Sequence, residues 1–356
     1  MEPHVQTLTV SPPALSPPFA LCPTAAPRLS VVVVNYHQWP DTAGVIRQLR
    51  SSPCLESGAA EIVVVDNHAA PHPIAARLRR TPGVSLRRWR RNHGFARAVN
   101  EGCRLSQGEW LLLLNPDVTL DPGFADAALA LAERRAAADP RVGVVGFRLR
   151  NADGTSQPST GPFPTLAGTL LRLLLPRSRR KYDAGPAHVC RPVDWATGCC
   201  LLIRRACWEQ LGGLDPDYFL YYEDVDFCRR ARARGWTVAY EPTPSAIHHH
   251  PLHGRAVPPH LRLVTRHALL TYARKHWPGW QVRFLAGVVR AEAWARQAAA
   301  RLKGDVASSA IFRELRQIAA DLGAARQNTA FQRLLRVVRR QEERRAGSSV
   351  RRDSES

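Results

Sequence analysis

Three carboxylates fall within four positions at Glu223, Asp224 and Asp226, between the aromatic pair Tyr221-Tyr222 and the arginine pair Arg229-Arg230. Carboxylates this close repel one another unless they share a cation or a proton, so the stretch reads as a base or metal site. Acids in the first turn of a helix also favour its positive end, and Asp226 stands at helical spacing from Arg230, which gives the same residues a purely structural use. Two further segments carry matching chemistry: Leu114-Asn115-Pro116-Asp117 ends an apolar run in an acid, and His248-His249-His250, with His253 behind it, supplies imidazoles. An imidazole and a carboxylate can complete the shell of Mn2+ or Mg2+ whose remaining ligands are phosphate oxygens.

The elements that must position these groups alternate. Leu29 to Val34 is a β-branched run that stops at Asn35-Tyr36, Ile62 to Val65 stops at Asp66-Asn67, and Trp110 to Leu114 stops at Asn115. Continuous apolar runs of this length predict strands buried on both faces of a mainly parallel sheet. Helix-compatible segments at 41–50, 73–80, 95–105 and 123–135 supply the crossovers, giving a βαβα order. In such α/β folds ligands bind beyond the carboxyl ends of the strands, where Asn35, Asp66 and Asp117 would project. Asn, Asp and Pro are also ordinary turn residues, so each strand end alone is weak and only their repetition points to a site. Asn92-His93-Gly94 opens a small-residue helix bearing Arg97 and Asn100, and its N-terminus with Arg97 would attract phosphate. No Walker loop and no G-x-G-x-x-G is present.

Lys and Arg number 50 against 30 Asp and Glu, for a net charge of +20. Residues 251 to 356 hold 21 of the basic and 8 of the acidic residues, so most of the excess is C-terminal. A basic nucleic-acid-binding protein would fit the total, but the charge lies in a tail without a reader motif, and no nucleic-acid partner is expected. Eight cysteines without a C-x-x-C pair read as reduced thiols of a cytoplasmic protein. Residues 1–27 hold two Ser-Pro-Pro triplets and read as a flexible leader rather than a signal peptide. The main domain is expected over 28–255, with a mobile insert at 156–192, a basic helical extension over 256–343 and a disordered tail at 344–356. In the extension, Ile311, Leu315, Ile318 and Leu322 share one helical face, as do Phe284, Val288, Ala291 and Ala295. Packing on the main domain is the expected use of both faces. The alternative is that these Arg-rich helices lie on an anionic membrane surface.

The order of motifs resembles inverting glycosyltransferases of family 2, of the nucleotide-sugar GT-A fold, and in particular their bacterial rhamnosyltransferase-like branch. The pieces that carry it span about residues 29 to 253: Val-Val-Asn-Tyr at 33–36, Val-Val-Asp-Asn at 64–67, Asn92 through Gly102, Leu-Asn-Pro-Asp at 114–117, Trp195 through Gly198, Gly-Gly-Leu-Asp at 212–215, and residues 221–230. The resemblance implies that Asp66 holds the nucleotide base beside Asn35. Asn92, Gly94, Arg97 and Asn100 would serve the diphosphate and sugar, with Trp195 and Gly198 also in the donor site. Asn115-Pro116-Asp117 is similar to the family's DxD element, with Asn in place of its first acid. Asp117 is then the expected ligand to Mn2+ or Mg2+, and His248 its partner. Asp224 matches the family's general base, with Glu223 and Asp226 orienting it or the acceptor.

The expected activity is transfer of a sugar from a nucleoside diphosphate, dTDP-rhamnose first and UDP-sugars next, to a hydroxyl of a glycan or lipid-linked acceptor in cell-surface polysaccharide synthesis. The expected place is the cytoplasm, peripheral to the inner face of the plasma membrane. A glycoside hydrolase with a carboxylate pair is the enzymatic alternative, since it needs an acid and a base flanking the bond.

Overall fold

The computed structural model of the chain describes residues 26–173, 185–250 and 257–353. The leader expected over 1–27 lies outside these residues up to position 25, as do the middle of the expected insert and His253.

The first half runs β1 (Leu29–Asn35), α1 (Trp39–Arg50), α2 (Pro53–Glu56), β2 (Ala60–Asn67), α3 (Pro73–Arg79), β3 (Val84–Trp89), α4 (Phe95–Leu105) and β4 (Trp110–Leu114). The middle continues with β5 (Val118–Leu120), α5 (Phe124–Ala138), β6 (Val142–Arg150), β7 (Ser156–Gln157), β8 (Thr160–Gly161), α6 (Leu166–Leu173), β9 (Arg191–Pro192) and β10 (Trp195–Ala196). Then come β11 (Cys200–Arg204), α7 (Arg205–Leu211), α8 (Glu223–Ala233) and β12 (Thr237–His248). Four helices close the chain: α9 (Pro259–His276), α10 (Gly279–Leu302), α11 (Val306–Gly323) and α12 (Gln327–Asp353).

The main sheet has the order β3-β2-β1-β4-β11-β6-β12-β5, with β7 on β6 and β9 on β12. Strands β3, β2, β1 and β4 are parallel, β11 runs against both β4 and β6, and β12 returns parallel to β6. All seven residues of β1 are buried. Val31 and Val33 pack with Val45, Ile46 and Leu49 of α1 and Phe124 of α5, while Val32 and Val34 face Ala98 and Val99 of α4. That two-sided burial explains why the strand shows no polar alternation. Helix α4 lies so close to β1 that a Cβ on Gly102 would come within 2.4 Å of Val32.

The C-terminal helices build a core of their own, in which Leu269 and Leu270 of α9, Leu285 and Val289 of α10, Leu315 and Ile318 of α11, and Leu334 and Val337 of α12 meet Phe219. Of the two apolar faces expected here, the Ile311 face is buried, but the Phe284 face is not. Val282, Leu285, Ala286, Val289 and Ala293 form the buried side of α10, and Phe284, Ala291 and Ala295 point outward. The final helix continues to Asp353, into the stretch from 344 on expected as a disordered tail.

Candidate active site

Strand ends converge as the parallel order requires. Asn35, Asp66 and Asn115 lie at or just past the carboxyl ends of β1, β2 and β4, and a cleft of about 840 Å³ opens over this edge. Its walls include Asn67, Asn92, Asn115, Asp117, Gly198, Glu223, Asp224 and His248, together with the start of α9 and Val337, Val338, Gln341, Glu342, Arg344 and Arg345 of α12. Among the described residues, four of the five non-glycine positions with positive φ stand near this edge. These are His37 and His68, just past β1 and β2, and Tyr221 and Tyr222, directly before α8. L-residues adopt this region at a cost of roughly 1–2 kcal/mol each, so the surrounding packing holds the edge in a strained form.

Asp117 and His248 meet through strand register. His248 pairs with Val118 where β12 crosses β5, and the amide of His249 donates to the Asp117 carbonyl at 3.0 Å. Nε2 of His248 is then 3.5 Å from Asp117 Oδ2. On the other side of the ring, Nδ1 is 2.8 Å from Gln157 Oε1, while Gln157 Nε2 donates to Asn151 Oδ1 at 2.8 Å. With the Gln157 oxygen as acceptor, Nδ1 carries the proton and Nε2 presents its lone pair toward Asp117, the arrangement of a metal-ligating imidazole. Burial pushes the Asp117 carboxyl up; with no cation between the two groups, a protonated His248 donating from Nε2 would more than offset this and hold the carboxyl below its ordinary value, whereas the metal-ligating form is the one with Nε2 unprotonated. No group of three or more His, Cys, Asp or Glu is placed to hold a metal among the described residues, so a cation here would need oxygens from a bound molecule.

The three acids of the opening stretch separate. Two residues along a helix turn the side chain by about 200°, so Asp224 and Asp226 leave α8 on opposite sides. Asp224, 6% exposed, lines the cleft; its Oδ2 accepts the Gly198 amide at 3.1 Å and its Oδ1 the Val225 amide at 2.8 Å. Glu223 lines the cleft beside it. Asp226 is fully buried away from it, accepting from Arg230 Nε at 2.7 Å and from the Tyr218 hydroxyl at 3.3 Å, with His276 Nε2 at 2.8 Å. Burial would raise its pKa, but His276 and Arg230 hold it below the usual value. Asp226 therefore fastens α8 to the end of α9, and the crowding that suggested a shared cation is relieved by geometry.

Other expected donor-site residues have internal partners. Asp66 is 0% exposed and accepts from Asn35 Nδ2 at 3.0 Å, from the Ala69 amide at 3.0 Å and from Arg88 Nε at 2.8 Å; Asn67, the next residue, is the one that lines the cleft. Asn67 and Asn92 are hydrogen-bonded at 3.0 Å, which fixes the loop before α4. Gly94 has φ of 90°, and a Cβ there would strike the Phe219 carbonyl at 2.6 Å. That same carbonyl takes the Phe95 amide, so the first amide of α4 is already used where a phosphate was expected. Arg97 is exposed and lies over the Phe331 ring of α12, 5.9 Å from its centroid. Asn100 clasps both backbone groups of Leu214, and the indole of Trp195, fully buried, donates to the Pro162 carbonyl.

What the motifs do not mark is the roof. Tyr36 OH donates to Glu342 of α12 at 3.1 Å, and burial with Glu342 raises the Tyr36 pKa to about 12. Burial, then Arg345, lowers the His37 pKa to about 4, so this imidazole is neutral at pH 7. Arg344 and Arg345 thus bring positive charge to the cleft where Arg97 was expected to. The spacing of Val337, Val338 and Gln341 lies inside the expected helical extension of 256–343, and nothing in it marked Arg344 and Arg345 beyond.

The family model described as Glycosyltransferase like family 2 matches residues 27–268. The chain is 31% identical over 275 residues to N-acetylglucosaminyl-diphospho-decaprenol L-rhamnosyltransferase of Mycobacterium tuberculosis, covering 71% of this chain and 86% of the relative. It is 29% identical over 241 residues to a low-salt glycan biosynthesis hexosyltransferase of Haloferax volcanii, covering 63% and 68%. Among solved structures it resembles GalNAc-T7 with UDP, GalNAc and Mn2+ at a TM-score of 0.51 and 15% identity, over 70% of this chain and 48% of that one. The curled, mainly parallel sheet with flanking helices is the GT-A fold, and family membership sets aside the hydrolase and nucleic-acid-binding alternatives. The chain belongs to glycosyltransferase family 2 and is a nucleotide-sugar glycosyltransferase.

Proposed function

We propose that the enzyme transfers rhamnose, with inversion, from dTDP-rhamnose to a hydroxyl of a lipid-diphosphate-linked glycan at the inner face of the plasma membrane, in cell-surface polysaccharide synthesis. The observation that carries this reading is that Asp224 and the Asp117–His248 pair open onto one cleft from different elements, an acid for the acceptor side and a ligand pair for the donor side. The rhamnosyl group and the lipid-diphosphate acceptor are supported by the name of the mycobacterial relative, and a UDP-sugar is the second donor class.

Asp224 takes the proton of the acceptor hydroxyl as its oxygen attacks the anomeric carbon. The bond from that carbon to the diphosphate oxygen breaks in the same displacement, and its electron pair leaves with the nucleotide. One displacement inverts the centre. The Gly198 amide keeps Asp224 aimed, and Glu223 beside it orients the acceptor. Asp117 and His248 would hold a divalent cation, Mn2+ or Mg2+, whose contribution is to neutralise charge on the diphosphate. Arg344 and Arg345 add fixed positive charge to the same cleft.

The test is transfer from dTDP-rhamnose and from UDP-sugars to a lipid-diphosphate N-acetylglucosamine acceptor, with NMR of the product's anomeric proton. Rhamnose transfer with inverted configuration supports the reading. Turnover of a UDP-sugar alone would move the donor to the second class, and retained configuration would remove the single-displacement role of Asp224.

A further inference from the structure

Helix α10 has two apolar faces, and the fold uses one. Its inner residues Val282, Leu285, Ala286, Val289 and Ala293 pack in the core formed with α9, α11 and α12. On the opposite side Trp280 is 60% exposed, Phe284 52% and Trp294 61%, and Leu302 at the helix end is 90% exposed. At about 100° per residue these four side chains lie within an arc of about 80°. Arg283, Arg290 and Arg301, all exposed, project along one flank of that stripe at almost the same angle. Exposed apolar residues scattered singly are ordinary, but a row of aromatics along a helix about 36 Å long is a contact surface.

The charge pattern selects the partner. The helix contains one acid, Glu292, and it is engaged by Arg262, Arg266 and Arg296; against its burial, Arg266 and Arg296 hold it at about 2. The exposed stripe and its arginine flank therefore carry no carboxylate. A second copy of this face would bring the same arginines and no acid to answer them. Trp and Phe beside a row of arginines match the boundary of an anionic bilayer, where the rings enter the headgroup layer and the guanidinium groups meet lipid phosphates.

We infer that the outer face of α10, centred on Trp280, Phe284 and Trp294 and flanked by Arg283, Arg290 and Arg301, docks the enzyme on an anionic membrane surface. Among the described residues no helix is long and apolar enough to cross a membrane, so this attachment lies in the interface plane. It goes beyond the reading of the cleft and does not depend on which donor the cleft takes. The docking would bring the enzyme to the surface in which a lipid-linked acceptor resides.

The experiment is co-sedimentation of the full chain with vesicles of phosphatidylcholine alone and with roughly one third phosphatidylglycerol, at low and high salt. The expected result is binding to the anionic vesicles only, weakened by salt. The variant W280S/F284S/W294S should bind at least about tenfold more weakly, and R283Q/R290Q/R301Q weaker by about fivefold for each charge removed. Both variants should keep the nucleotide affinity and melting temperature of the parent, which shows that the cleft and the fold are intact. Equal binding by all three proteins, or no binding by the parent, would overturn the proposal. So would a dimer in solution that the serine variant dissolves without any vesicle binding, since the face would then belong to a second copy.

Discussion

His248 holds Asp117 and Gln157 on opposite sides of one ring, with Nε2 3.5 Å from the carboxylate and Nδ1 2.8 Å from the amide oxygen. Gln157 cannot turn to offer its nitrogen without breaking its bonds to Asn151 and to the His248 carbonyl. Gln157→Leu should free the imidazole to take the other tautomer and weaken Mn2+ binding in the presence of nucleotide by about 10- to 100-fold. Electron paramagnetic resonance of free Mn2+ measures this directly. Gln157→Glu, which keeps the accepting oxygen, should retain most of the affinity.

Asp224 and Asp226 are two residues apart yet serve different ends. Asp224→Asn should lower kcat by about 10²- to 10⁴-fold with nucleotide affinity unchanged. Asp226→Asn leaves Arg230 and His276 without their buried counter-charge, so it should lower stability by about 3 kcal/mol. A denaturation curve beside single-turnover rates separates the two effects. Equal losses in both measurements for both variants would contradict the division of roles.

Much of this was legible because it is local. Strand ends lie where apolar runs stop, and a glycine before a helix shows on the page. Partners brought from far along the chain do not. Asp66 is closed off by Arg88, Asn100 by Leu214, and Asp226 by His276, and none of these pairings leaves a mark in the short motifs. The roof is the extreme case, since Tyr36 and Glu342 are 306 positions apart. Composition read the end of α12 as a tail because its arginines have no use in isolation. They acquire one only when the helical core sets them over the cleft. For α10 the periodicity was visible but ambiguous, since both faces are apolar and only packing decides which is buried.

The roof makes a kinetic prediction. Arg344→Ala with Arg345→Ala should raise the donor KM by about tenfold while kcat stays nearly constant, because these charges act on bound donor and transition state alike. Steady-state kinetics at varied donor concentration checks it. A fall in kcat at unchanged KM would place the arginines in the chemical step instead.

His267 makes a pH prediction. It is 1% exposed in α9 against Phe331 of α12, neither ring nitrogen has a hydrogen-bond partner among the described residues, and burial lowers its pKa to about 4. The unfolded chain takes up this proton near 6.5 and the folded chain near 4, so protons favour unfolding between those values. The stabilising contribution of neutral His267 is present above pH 6.5 and is lost as pH falls toward 4, by up to about 3 kcal/mol. Melting temperatures across this range should fall, and His267→Phe should flatten that part of the curve.

The measurement closest to the central claim is calorimetric titration of dTDP, UDP and GDP, with and without Mn2+, into the parent enzyme and Asp117→Ala. The account predicts that one nucleotide binds, that Mn2+ strengthens it, and that the Mn2+ effect disappears in the variant. Binding that ignores the metal, or a metal effect that survives in Asp117→Ala, would contradict the assignment of Asp117 and His248 to the donor's cation.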